Sequence, residues 1–186
     1  MRKVLYILGQ LSDADAEWLT RAGTLVRINA GVELIAEGSP VDSMFILIEG
    51  SLQVQTSKLG KLALLSPGEI VGELSLVDSR PASASVVSAV SCALLKISQA
   101  RLIEKTETDI GFGLRLYKAI SVFLADRMRS TIERMGYGVD ASSGGLSEEA
   151  HMEGEIDEAV LDQVFLAGAR FDRIFKSLLN SAASSH

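Results

Sequence analysis

From Leu25 to Ile97 the chain is a series of short apolar runs, each closed by glycine, proline or polar residues. The runs are "TLVRINAG", "ELIAEGSP", "MFILIEG", "SLQVQTS", "KLALLSPG", "ASVVSAV" and "CALLKIS". Runs of about 5 residues rich in Val, Ile and Leu, with turn signals roughly every 8–12 residues, predict an antiparallel sandwich or barrel. Gly31, Gly38, Gly50, Gly60 and Gly68 punctuate the turns.

Helical patterns flank this region. "SDADAEWLTRAG" reads as a capped helix: Ser12 caps it, Asp13 and Asp15 suit its positive end, and Gly23 stops it. Trp18 on that helix reads as a packing anchor. After Ser98, "SQARLIEKTE" predicts a short helix and "DIGFGLRLYKAISVFLADRMRSTIERM" a long one. Leu116, Ile120, Phe123, Leu124, Met128, Ile132 and Met135 recur on the long helix at steps of three and four. A stripe with both steps predicts a two-sided role, packing on its own sandwich and on a second chain. The segment Gly136–Glu155 has five glycines, five acids and no Lys or Arg, the composition of a flexible acidic linker. "IDEAVLDQVFLAGARFDRIFKSLL" is again amphipathic, with acids early and Arg170, Arg173 and Lys176 late. The expected organisation is a mainly β domain with N-terminal and long C-terminal helices at 1–136, a linker at 137–155 and an amphipathic helix at 156–180. An isolated helix of that length is marginal in water, so its stripe calls for a partner: its own domain, a dimer mate or another protein.

A chain of 186 residues can bury one good core. Its net charge of -6 carries no electrostatic footprint for nucleic acid. No apolar stretch approaches the roughly 20 residues of a membrane helix, and the start "MRKVLYILGQL" lacks the features of a signal peptide. The one cysteine, Cys92, forms no internal disulfide; it lies in an apolar run and reads as a buried small hydrophobe. These features together predict a cytoplasmic protein. His151 and His186 have no neighbours suited to a triad or a metal site, and Glu148 and Glu149 read as solvated charge.

The stretch "PGEIVGELSLVDSRPASASV" carries the chemistry. Gly72 allows close backbone approach, and Glu73–Val77 can make one helical turn whose free N–H groups favour an anion. Glu73 stands at the mouth of that turn, able to accept hydrogen bonds from hydroxyls, and Ser83 and Ser85 follow on a neighbouring strand.

With these residues in view, the chain resembles a cyclic nucleotide-binding domain of the catabolite-activator and kinase regulatory-subunit type. "EGSPVDSMFILIEGSLQV" is similar to that family's glycine-punctuated middle strands, and "GELSLVDSRPASASV" to its phosphate-binding cassette. The resemblance covers about Leu11 to Met135 and implies a β-sandwich or jelly-roll (double-stranded β-helix). It implies that Gly72, Glu73, Leu74, Ser75 and Ser83 line a ligand site. Glu73 would hold a ribose 2′-hydroxyl, the amides around Leu74 and Ser75 a cyclic phosphate, and Ser83 the same phosphate. The family's phosphate-pairing arginine follows the proline; after Pro81 this chain has Ala82. Losing one partner of a buried charge pair costs about 2–5 kcal/mol, enough to weaken a micromolar site to between tens of micromolar and millimolar. Arg80 lies two residues earlier, about 6–7 Å along an extended chain, with Pro81 fixing the backbone between; it reads as a solvated turn arginine.

The resulting expectation is a non-enzymatic regulatory sensor or adaptor whose cyclic AMP or cyclic GMP binding is weak or lost, some other small anion being a further possible ligand. One alternative is a true cyclic AMP binder in which Arg80 substitutes. Another is a transcription regulator, which the residues after the long helix disfavour because they hold no helix-turn-helix. No clustered nucleophile and base, metal-ligand set or phosphate loop predicts an enzyme. Family members use the long helix for dimers and to cover the bound base, which implies a homodimer through Leu116–Met135. The opening "MRKVLYILGQLSDADAEWL" and the ending "LAGARFDRIF" also resemble small cyanobacterial cyclic nucleotide-binding proteins without a DNA-binding domain, some of which accompany bacteriocin-type export systems.

Overall fold

A computed structural model describes residues 9–134. The expected linker at 137–155, the amphipathic segment at 156–180, Met135, His151 and His186 lie outside the described residues.

Helix α1 (Asp13–Ala22) opens the domain. Ser12 caps it as expected: its hydroxyl accepts from the Asp15 N–H, and the Asp15 carboxylate accepts in return from the Ser12 N–H at 2.7 Å. Gly23 ends the helix as expected, with an extended backbone, and a Cβ there would strike the Leu95 side chain.

Eight strands follow: β1 (Thr24–Ile28), β2 (Glu33–Ile35), β3 (Ser43–Glu49), β4 (Leu52–Thr56), β5 (Gly60–Leu65), β6 (Ile70–Val71), β7 (Ser85–Ser88) and β8 (Cys92–Ser98). They form two four-stranded sheets, β1-β8-β3-β6 and β2-β7-β4-β5, and every strand pair is antiparallel. One-turn helix α2 (Leu74–Val77) lies between β6 and β7. Helices α3 (Gln99–Thr108) and α4 (Ile110–Arg134) complete the described chain. The expected mainly β sandwich with flanking helices is the fold observed.

Strands β3 and β8 explain the layering. Their sequences are nearly continuous apolar runs because both faces are covered. Alternate residues point to opposite faces. Phe45, Leu47 and Leu94 face the second sheet and pack with Leu52, Leu65 and Val86. Met44, Ile46, Leu95 and Ile97 face the helices and pack with Leu19, Leu102 and Phe112. Cys92 joins the inter-sheet core, its sulfur within 3.2 Å of the Ser51 carbonyl and 3.1 Å of that of Val90, as a small buried hydrophobe would sit.

Helix α4 is clamped to α1. Arg115 grips Asp15 with two hydrogen bonds, Nε to Oδ2 at 2.6 Å and Nη2 to Oδ1 at 2.9 Å. Burial alone would raise the Asp15 pKa, but Arg115 and the Ser12 groups hold it below the usual carboxylate range. Trp18 meets Phe112 edge-on with ring centres 5.2 Å apart, the anchoring contact expected of it. Of the striped residues on α4, Leu116, Ile120 and Phe123 are buried in the domain's own core. Met128 and Ile132 are exposed, because they lie on a different side of the helix from those three.

Candidate functional site

Gly72, between β6 and α2, turns the chain into the site. Its φ of +83°, in the left-handed region, and the Ser43 carbonyl in the path of any Cβ both demand glycine there. The turn sets Glu73 at the start of α2. The Asp78 N–H closes the turn onto the Leu74 carbonyl at 2.7 Å. The Ser75 hydroxyl donates to the Gly72 carbonyl at 2.7 Å and receives the side-chain amide of Gln99 from α3. The first amides of such a turn, those of Leu74 and Ser75, have no acceptor within the helix itself.

The returning segment is fixed equally firmly. The Ala82 N–H donates to the Ser39 carbonyl at 2.9 Å, and the Gly38 N–H to the Ala82 carbonyl at 2.8 Å. The Ser85 hydroxyl accepts from the Glu37 N–H at 2.9 Å. The segment therefore pairs with the turn after β2, and its side chains face the ones on α2 across a hollow.

That hollow is a cavity of about 360 Å³. Gly72, Glu73, Leu74, Ser75, Arg80, Ala82 and Ser83 all line it, while Ser85 does not. Its floor is apolar, from Ile35, Val54, Val71 and Val86. A cavity of this size with an apolar floor and a few convergent polar groups has the build of a small-molecule site.

One lining residue escaped the sequence reading. Arg127 reaches down from α4, and its Nη1 donates to Glu73 Oε1 at 2.8 Å. Its Nη2 donates to the Ile70 carbonyl at 2.8 Å, and its guanidinium lies over the Phe123 ring, 4.3 Å from the centre. A signal was present: Arg127 stands four residues after Phe123, on the face of the helix that is otherwise core. Glu73, expected to accept from a ligand's hydroxyls, thus also accepts from Arg127 at one of its oxygens. Burial pushes the Glu73 carboxyl above its ordinary pKa, and the Arg127 charge opposes that rise.

The Arg80 side chain is 85% exposed at the rim and pairs with Asp78, whose pKa that pairing lowers. Each of the two guanidiniums among the cavity's described lining residues thus has a carboxylate partner, Arg127 with Glu73 and Arg80 with Asp78. At the position after Pro81 the cavity wall is the Ala82 methyl, packed against the inter-sheet core.

Comparison with known proteins agrees with this architecture. Residues 25–109 match the family model described as Cyclic nucleotide-binding domain. The Pycsar effector protein XpPycTIR of Xanthomonas perforans is 31% identical over 114 residues, covering 60% of this chain and 37% of that protein. The chain spans well under half the length of the curated relatives it matches. Among solved structures, a cyclic nucleotide-binding domain from Methylobacillus flagellatus has the same fold, with a TM-score of 0.65 at 21% identity, covering 78% of this chain and 85% of that one. The N-terminal domain of a transcriptional regulator from Streptomyces coelicolor superposes with a TM-score of 0.55 at 26% identity, over 76% of this chain and 99% of that one.

Proposed function

We propose that the chain, whose residues 25–109 match the Cyclic nucleotide-binding domain model, is a regulatory module of that kind whose hold on cyclic AMP and cyclic GMP is weak or lost. The observation that carries this reading is the pairing inside the cavity. A cyclic phosphate seated on the α2 turn meets the Ala82 methyl where the family's arginine would stand, and the Arg127 and Arg80 guanidiniums are already committed to carboxylates. A phosphate ester stripped of water without a cation loses the charge-assisted hydrogen bonds, each worth about 1.5–3 kcal/mol, that such sites rest on. The role is regulatory rather than enzymatic in this reading, since the charged side chains of the cavity are paired with one another, Glu73 with Arg127 and Asp78 with Arg80, and are not arrayed as nucleophile and base. The Xanthomonas relative is named as an effector and shares only a minor part of its length with this chain, which supports a signal-receiving role for the shared part.

Titration calorimetry with cyclic AMP and cyclic GMP tests the proposal. Dissociation constants of tens of micromolar or weaker are expected, and a low-micromolar value for either nucleotide overturns it. A second reading has one observation in its favour: Arg80 lines the cavity rim and is held only by an exposed pairing with Asp78. If it turns inward on a nucleotide, Arg80→Ala abolishes a measurable cyclic AMP affinity; if it stays solvated, that substitution leaves the titration unchanged.

A further inference from the structure

Helix α4 carries a second apolar stripe, on the side turned away from the sandwich. Ile110, Leu114 and Met128 are 75%, 70% and 65% exposed, and Tyr117 and Ile132 are also exposed. On a helix turning about 100° per residue these five fall on one face. Ser121 and Ala125 continue that face between Tyr117 and Met128. The result is one seam along the helix, about 33 Å long at roughly 1.5 Å per residue. A shallow hollow beside Gly113, walled by Ile110, Leu114 and Tyr117, interrupts its upper half. An apolar surface of this extent on one helix is a docking surface.

We propose that residues 156–180 of the same chain cover this seam, lying antiparallel to α4. Three features favour this occupant. The first is reach. The described helix ends at Arg134, and the glycine-rich stretch before Ile156 spans about 25 Å on average as a flexible chain, ample to turn back beside α4, whose axis would lie about 8–10 Å from its partner's. Tethering on that scale holds the segment at an effective millimolar concentration. The second is register. With Met128 set opposite Val160, Tyr117 falls opposite Phe171 and Ile110 opposite Leu178, while the small residues Ser121 and Ala167 meet midway. The third is pattern. The sequence of the segment is amphipathic with the same three- and four-residue steps as the seam, so both stripes are satisfied by a single contact.

Disulfide trapping in the full chain tests this. Leu114→Cys with Ile174→Cys, and separately Met128→Cys with Val160→Cys, place thiols at facing positions of the antiparallel pairing. Leu114→Cys with Val160→Cys separates them by about 20 Å, far beyond the roughly 7 Å limit between Cα atoms for a disulfide. Under mild oxidation both facing pairs are expected to close within one chain while the crossed pair stays reduced, and light scattering is expected to give the monomer mass. A crossed pair that closes as readily, facing pairs that do not close, or disulfide-linked dimers from Leu114→Cys alone each overturn the proposal. The last of these assigns the seam to a second copy of the chain. Using two facing pairs keeps the test decisive if one variant folds poorly.

Discussion

Restoring an arginine at Ala82 isolates the role of one side chain. Ala82→Arg is expected to strengthen cyclic AMP binding by roughly tenfold or more, since each decade corresponds to about 1.4 kcal/mol, and calorimetry against the parent reads it directly. An unchanged affinity would mean that the cavity fails for reasons beyond the missing cation. Arg127 makes a complementary case. Its removal in Arg127→Gln leaves the Glu73 carboxylate buried without a cation, and thermal denaturation is expected to register a loss of about 3 kcal/mol. Adding Glu73→Gln to that variant is expected to recover part of the loss, which two independent sites would not do. Two buried carboxylates, Asp15 and Glu73, act on stability with opposite signs. Asp15 has a lowered pKa, so its contribution is present above its unfolded value near 3.8 and is lost as pH falls through the lower folded value. Glu73 has a raised pKa, so its native state holds a proton more tightly and its contribution declines as pH rises through the folded value. Asp15→Asn is therefore expected to cost about 1–3 kcal/mol near neutral pH and progressively less below about pH 4, as urea denaturation across that range would show.

At the scale of elements, the glycines divide by what their surroundings require. Gly72→Ala is expected to lower stability by about 2 kcal/mol or more in chemical denaturation, because it adds left-handed strain and a clash with the Ser43 carbonyl. It is also expected to displace α2, so any ligand signal from the cavity falls with it. Its position before the Glu-Leu step was legible in the sequence, as were the turn glycines and the strand runs, since local backbone needs are written in local residues. Gly23 was legible as a helix stop, but the second demand on it was not: the Leu95 side chain, more than 70 positions away in the chain, leaves no room for a Cβ there. The unbroken apolar runs of β3 and β8 marked them as strands covered on both faces, but which face meets helices depends on the pairing of the sheets. The stripe on α4 was legible as two-sided. Its division into the buried Leu116, Ile120 and Phe123 and the exposed Met128 and Ile132 depends on which side of the helix the sandwich covers.

For the whole molecule, the two apolar clusters share the sheet formed by β1, β8, β3 and β6, so they are expected to melt together. Trp18 fluorescence reports the helix side and far-ultraviolet dichroism the strands, and the two curves are expected to superimpose in one transition. Leu95→Ala, at a fully buried position in the shared sheet, is expected to shift both curves equally while costing about 2–5 kcal/mol. The site was legible as far as its contiguous parts go: the residues of the cassette converge because one turn and one returning strand place them. Arg127 was not read, because its tie to Glu73 arises only when α4 folds back over the sandwich. The position of Cys92 has a practical corollary. Sealed between the sheets with its sulfur against two carbonyls, the chain's one thiol is shielded from alkylating reagents while the domain is folded. The rate at which a maleimide adds its mass to the native protein is then a stopwatch for how often the domain comes fully open, readable by mass spectrometry without any engineered label.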